Sequence, residues 1–414
     1  MGRNHRFANK PDRRASESTV HAHANGTRPK RVAFVVQRCG AEVNGGAEVH
    51  CLQVAQRMSK HFATEVLTTC AVDYVTWDNF YPPGEERSGG TVIRRFRVDR
   101  PRDQKAFEPL SASLAARQSR TSLEEQEEWM RAQGPISTEL FDYIRREKDR
   151  YDAFVFFGYL YATTYFGLPL VEEKAFLAPL AHDEWPIYFT MFDTLFARPR
   201  SIIFNTAAER KFLQRRFPDL ALNGSVVALG VERPQRVEPE EFRRRYGITG
   251  PFLLYVGRID RAKGCDTLFD YFIRARESGT IEHQLVTIGR EVLPVPFHQD
   301  VIHLGFVDDQ EKWNALAACD WLVMPSPHES LSMVLLEAWS VGRPAQVNGQ
   351  CDVLRSHCQQ ANAGVWYEDY EEWAASLHSI GAREKEMLGR QGASYVTTNY
   401  SWERVERDYL SLLS

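Results

Sequence analysis

What this chain lacks narrows its class first. No apolar run approaches the roughly 18 residues of a membrane-spanning helix, so no spanning helix is expected. The seven cysteines, Cys39, Cys51, Cys70, Cys265, Cys319, Cys351 and Cys358, are odd in number and form no CxxC pair. A disulfide framework or a thiolate zinc site is therefore not expected, and a reducing compartment is. Cys351 and Cys358 are close enough in sequence to approach one another, but are read as two buried thiols. Charge of one sign is also missing: 51 Lys and Arg stand against 55 Asp and Glu, and nothing in that balance calls for nucleic acid as a partner. The first 29 residues contain no apolar segment of the kind a secretory signal needs. With Arg3, Arg6, Lys10, Arg13 and Arg14 they read as a disordered basic tail, residues 1–29.

What is present is enough apolar material, 43% over 414 residues, for two packed domains. Order is expected from Arg31, where RVAFVVQ reads as a buried strand and Ala47 to Lys60 as a helix with one apolar face. Further strand-like runs follow at TEVLTTC, TVIRRFRV, AFVFFGY, FLAPLAH, SIIFN and SVVAL. Alternation of strands and helices argues for a parallel sheet covered on both faces. Residues 104–150 interrupt it with two charged helical segments around Gly134-Pro135, an inserted helical lobe. LGVERPQRVEPEEF reads as a linker, after which PFLLYVG, HQLVTIG, VIHLG, WLVMPS and PAQV restart the pattern. Two such open sheets place their ligands at the carboxyl ends of strands, in a cleft between domains.

Four segments carry chemistry. In ESLSMVLLEAW, Glu329 and Glu337 are separated by seven residues. Ser330 or Ser332 is expected to cap the helix that follows, with Glu329 just before its start and Glu337 about two turns inside. The backbone N–H groups of Ser330, Leu331, Ser332 and Met333 would then seat a phosphate. Alone, the pair reads equally well as an acidic helix start plus a surface Glu. In YVGRIDRAKGCDTL, Arg258 and Lys263 follow a strand end and suit a diphosphate whose charge grows as it leaves; a solvated loop is the plainer reading. In VNGGAEVH, Gly45 and Gly46 precede a helix and let backbone approach a ligand, although the segment is neither GxGxxG nor a P-loop. In APLAHDEWP, His182 and Asp183 end a strand, where a polar pair can meet sugar hydroxyls or a reacting centre, or serve only as a structural histidine and a helix cap.

Together and in this order, these segments resemble the retaining glycosyltransferases of family 4. The likeness runs from Arg31 to about Ser414 and is most specific in VGRIDRAKG, in LGFVDDQEKWNALAACDWLVMPS and in HESLSMVLLEAW, which matches the family's E-x7-E signature. GVE at 230–232 resembles the family's turn into the linker, and YSWERVERDYLSLL its last helix. The resemblance implies an α/β, GT-B fold: two Rossmann-like domains facing across a cleft. Its expected parts are an acceptor domain at 30–230 holding the insertion, a donor domain at 231–395, and a helix at 396–414 crossing back onto the first domain. Arg258 and Lys263 would neutralise the donor diphosphate, with Gly45 and Gly46 at the same phosphates. Glu337 would hold the ribose, Glu329 the transferred sugar, and His182 would face that sugar from the other domain. Gly289 and the Phe306-Val307 turn would lie near the base. The chain departs from the family in SLSM, where a small, Gly-rich segment is usual, and in NGQCDVLRSHC after the signature helix.

The resemblance further implies same-face attack through a short-lived, oxocarbenium-like ion pair, with the donor's own phosphate taking the acceptor proton and Asp183 a candidate assistant. No metal and no cofactor are expected, because Arg258 and Lys263 stand where an ion otherwise would. The expected partners are a GDP- or UDP-hexose donor and a glycan or lipid-linked acceptor, in cell-surface polysaccharide or glycolipid synthesis. A cytoplasmic location is expected. RRFRVDRPR and AERKFLQRRF are solvated faces or a peripheral contact with anionic lipid at the inner face of the membrane. The alternatives are another GT-B enzyme, a sugar-nucleotide epimerase or a phosphorylase, and a degenerate transferase acting as a binding subunit.

Overall fold

The computed structural model describes residues 28–414 except Asn44. The basic tail expected at 1–29 lies outside the described residues apart from its last two positions. Among the described residues the strands form two sheets. The first holds β1 (Arg31–Arg38), β2 (Ala63–Thr69), β3 (Gly84–Ser88), β4 (Thr91–Phe96), β5 (Ala153–Phe157), β6 (Ala175–Ala178), β7 (Ser201–Phe204) and β8 (Gly224–Val226). Their order is β3-β4-β2-β1-β5-β6-β7-β8. The second holds β9 (Phe252–Val256), β10 (Gln284–Ile288), β11 (Val301–His303), β12 (Trp321–Met324), β13 (Ala345–Asn348) and β14 (Gly364–Tyr367), in the order β11-β10-β9-β12-β13-β14. Only β3 runs antiparallel to its neighbour. Each sheet reverses its winding at its first strand, β1 or β9, the place where an open α/β sheet leaves a crevice for ligands.

The central strands are buried on both faces, which is why they read as continuous apolar runs rather than as alternation. β3 gave no such signal. Its sequence is GEERS, it is exposed, and it pairs through a hairpin whose two glycines, Gly89 and Gly90, take positive φ. All seven cysteines are buried and free. No helix among the described residues is long and apolar enough to cross a membrane.

Residues 104–150 fold as three α-helices, Gln104–Ala116, Leu123–Gln133 and Thr138–Glu147, with short 3-10 turns at Gln118–Arg120 and Lys148–Arg150. Ser122 and Glu125 close a capping box on the second, and the Ser137 hydroxyl caps the third. Trp129 packs edge-on against Trp185 at 5.4 Å and Phe189 at 5.5 Å. Gln126 Oε1 accepts from the Met191 backbone N–H at 2.9 Å. The lobe therefore braces the segment that leaves His182.

The chain crosses between sheets twice. On the way out, Gly230 sits against the Trp402 indole, which a Cβ would meet at 2.4 Å. On the way back, Ser401 caps the helix Trp402–Leu413, whose Tyr409 and Trp402 join the core shared with the helix Gly46–Met58. The returning helix starts later than position 396, because residues up to Asn399 belong to the preceding helix, Ala382–Asn399. The backbone N–H of Val231 donates to the Tyr400 carbonyl at 2.8 Å, tying the two crossings together.

Candidate active site

The loop after β9 is shaped by one carboxylate and one glycine. Asp260 accepts from the Lys263 backbone N–H at 2.8 Å and pairs with the Arg258 guanidinium. Gly264 follows with φ 71°, and a Cβ there would meet the Pro325 carbonyl oxygen at 2.4 Å. Only glycine allows that approach, which sets the loop directly against the end of β12. Lys263 Nζ reaches Glu329 Oε1 across this contact, at 2.7 Å.

The segment after β12 is held in the same way. Asn348 Nδ2 donates to the Pro325 carbonyl at 2.9 Å, and the Ser326 hydroxyl to the His328 carbonyl at 2.9 Å. The helix that follows differs from expectation. It spans Met333–Ser340, and Ser332 at its N-cap lies in the left-handed region, φ 65°, with no side-chain cap. Ser330 is not at the cap either, because the chain from Glu329 to Ser332 is irregular and the first free helical N–H groups begin at Met333. Glu337 is consequently one turn inside the helix, not two. Its Oε1 accepts from Lys312 Nζ at 2.8 Å, while its Oε2 is buried with no hydrogen-bond partner. Burial pushes the Glu337 carboxyl above its ordinary range, against the pull of Lys312.

The first sheet presents its own loops opposite. Gly45 is the N-cap of Gly46–Met58, and a Cβ there would collide with the Glu48 and Arg38 side chains. Buried Glu48 accepts from Gln37 Nε2 at 2.8 Å and Arg38 Nε at 2.5 Å. Tyr74 lies between Arg38, 5.3 Å from its ring centre, and Arg258 of the other domain, at 4.7 Å. Asp73 beside it pairs with Arg290 at 2.8 Å. Further along, His182 stacks on His328 of the other domain, centroids 5.3 Å apart and planes 18° from parallel. Burial, and then the neighbouring His182, lower the pKa of His328.

Between the domains lies a cavity of about 1180 Å³. Gly45, Arg258, Gly289, Phe306, Val307 and Glu337 are among its walls. Gly289 takes φ 139°, and a Cβ there would lie 2.0 Å from the Gly257 carbonyl oxygen. Gly46, His182, Lys263, Glu329, Ser330, Leu331 and Ser332 are not among the walls. Lys263 and Glu329 are paired with each other, and His182 is stacked on His328, which is not among the walls either. The Leu331 side chain is buried in the core, and its carbonyl contacts His357 Nε2 at 3.1 Å.

Sequence reasoning missed Lys312, Tyr74, Asp73, Arg290 and His328. Each owes its place to a partner distant in sequence, and no spacing rule signals such a pairing. It missed Glu209 too. That buried carboxylate accepts from the backbone N–H groups of Ala181 and Asn205, each at 2.6 Å, and so fastens the end of β6 beside His182. Burial pushes Glu209 up to about 8. Four of the nine cations in the two basic runs form ion pairs within the protein: Arg94 with Glu65 and Glu85, Arg95 with Glu86, Arg215 with Asp352, and Arg216 with Asp193.

Residues 250–381 match the family model described as Glycosyl transferases group 1. Over 194 residues the chain is 27% identical to an uncharacterized glycosyltransferase of Methanocaldococcus jannaschii, covering 42% of this chain and 48% of that protein. Over 182 residues it is 28% identical to a glycogen synthase of Thermus thermophilus, covering 41% of this chain and 40% of that one. The chain thus aligns with less than half the length of these curated relatives. Its structure is similar to that of sucrose-phosphate synthase from Thermosynechococcus elongatus, with TM-score 0.70 at 16% identity, covering 92% of this chain and 98% of that chain. It is also similar to Anabaena HepE in complex with UDP-glucose, with TM-score 0.65 at 13% identity, covering 92% and 99%. The fold is GT-B, as the resemblance implied.

Proposed function

We propose that this chain is a retaining glycosyltransferase that moves a hexose from a UDP- or GDP-sugar to a glycan or lipid-linked acceptor without a metal. The observation that supports the reading is that the loops after β9 and β12 carry the paired Lys263 and Glu329, while Arg258 and Glu337, whose Oε2 has no hydrogen-bond partner, line the cavity between the domains. A nucleotide sugar has matching chemistry: a diphosphate for the two cations, and hydroxyls at both ends for the two carboxylates. The match over residues 250–381 covers this half of the site, and the HepE neighbour is described with UDP-glucose.

In this reading Arg258 and Lys263 stabilise the departing diphosphate, which is the main electrostatic task of the reaction. Glu337 Oε2 accepts from a ribose hydroxyl. Glu329, already paired with Lys263, orients the transferred sugar. His182 faces that sugar from the first domain. Closure of the two domains excludes water and holds the acceptor on the same face as the leaving group. The site works on the cytoplasmic side, with the first domain receiving the acceptor.

The test is a panel of UDP- and GDP-hexoses presented to purified protein. Thermal shift reports donor binding, nucleotide release reports turnover, and NMR of the product reports the anomeric configuration. A stabilising donor and a retained configuration are expected. Conversion of a donor without acceptor would identify an epimerase, and a requirement for free phosphate a phosphorylase. No shift and no release with any donor would leave only a binding subunit.

A further inference from the structure

His182 ends a strained turn. Leu180, two residues before it, takes φ 54°, a left-handed backbone that a Leu adopts only when its surroundings impose it. Glu209 imposes it from one side by binding the Ala181 N–H. From the other side Tyr159 fixes both the main chain and the side chains: its N–H donates to the Pro179 carbonyl at 3.0 Å, and its hydroxyl to Glu184 Oε1 at 2.9 Å. The same Glu184 oxygen lies 3.6 Å from His182 Nδ1. That nitrogen is buried and makes no hydrogen bond. Asp183, the acidic residue next to His182, is exposed and accepts from the Tyr188 hydroxyl at 2.8 Å.

We propose that Glu184, held by Tyr159, is the positioning residue for His182: it accepts a hydrogen bond from Nδ1–H, and so leaves Nε2 as the nitrogen presented to the substrate. Asp183 has no part in this. The inference rests on the transferase reading for the importance of His182, but not for the contact itself. A neutral imidazole has one N–H, and the acceptor beside one nitrogen decides which nitrogen carries it. The separation of 3.6 Å is longer than a hydrogen bond, and such contacts commonly tighten when substrate closes the site. His328 stacks against one face of the ring, centroids 5.3 Å apart, and limits its movement on that side. The ionisable groups around the imidazole are Glu184 and Asp183 from its own loop, Tyr159 from the turn after β5, and His328 from the other domain, which in turn feels Lys263.

Nitrogen-15 spectra of the histidine rings test the contact directly, with His182 identified by the signals lost in His182→Gln. The full-length protein is expected to show His182 protonated at Nδ1. Glu184→Ala should return it to a mixture of tautomers, and Tyr159→Phe should do so in part. With donor and acceptor supplied, Glu184→Ala should lower kcat roughly 10- to 100-fold, with KM for both substrates within about twofold. Glu184→Gln, whose carbonyl still accepts the hydrogen bond from Nδ1–H, should recover the tautomer and part of the rate. Unchanged ring spectra in Glu184→Ala would overturn the proposal, as would the same loss arising from Asp183→Asn instead. Thermal unfolding of each variant separates these outcomes from misfolding. If no sugar is transferred at all, the transferase reading fails while the spectra still decide the role of Glu184.

Discussion

Lys312 Nζ lies 2.8 Å from Glu337 Oε1, and the other oxygen of that carboxylate is buried with nothing to bond. One half of Glu337 is thus committed to the protein and the other half is free for a ligand. Glu337→Gln should weaken nucleotide-sugar binding roughly 10- to 100-fold, because a hydrogen bond to a charged group contributes about 1.5–3 kcal/mol. Lys312→Met should instead act on the fold, leaving a buried charge unpaired at a cost of about 3–5 kcal/mol. Titration calorimetry and urea unfolding separate the two effects. Equal behaviour of the two variants would mean that the free oxygen has no ligand to serve.

Lys263 is about one-third exposed, so its pair with Glu329 adds little to stability. Its contribution should appear in turnover. Lys263→Ala is expected to lower kcat/KM by roughly 10²–10³, the size of effect seen when a donor to developing negative charge is removed. The melting temperature should barely move. Wild-type turnover would take Lys263 out of the site.

Glu209 makes a prediction about pH. Its pKa rises from an ordinary 4.5 to about 8 because burial favours the neutral acid, with the backbone donors of Asn205, Ala181 and Thr206 opposing. The stability it contributes is complete below the ordinary value and is lost as pH rises through about 8, amounting to a few kcal/mol. Glu209→Gln is uncharged throughout and should lack that slope. Urea unfolding of both proteins between pH 5 and pH 9 reads the difference, and parallel curves would show that Glu209 ionises normally.

Gly264 is where two functional loops touch. Gly264→Ala should cost about 1–3 kcal/mol for the left-handed backbone alone, and the Pro325 carbonyl adds a collision with main chain. Separating the loops moves Lys263 from Glu329, so donor affinity should fall together with stability. Gly247→Ala is the comparison: it shares the positive φ, 67°, but has open space around it, and it should lower stability without touching donor affinity.

Most of the fold was readable because its strands are doubly buried and therefore apolar throughout. β3 escaped since an exposed GEERS hairpin strand carries no apolar signal. Within the candidate site, local patterns pointed to Arg258, Lys263 and Glu337, of which Arg258 and Glu337 line the cavity. The start of the helix that carries Glu337 was not legible. Ser330 and Ser332 have the chemistry of caps, but the chain stays irregular to Ser332, whose backbone is left-handed. Contacts such as Lys312–Glu337 and His182–His328 depend on how sheets and domains are brought together, which local patterns do not encode.

The hydrogen bond from Val231 to Tyr400 has a mechanical reading. Both segments of chain that join the halves pass this point, so a hinge motion that keeps the bond intact would turn close to it, like a door on its pin. Displacement then grows with distance from the pin. The Asp73–Arg290 pair and the Arg258–Tyr74 contact bridge the jaws of the gap itself, and so they must break for it to swing wide. A solvent rich in salt loosens such a clasp while leaving the pin untouched, which makes ionic strength a handle on how far this molecule gapes.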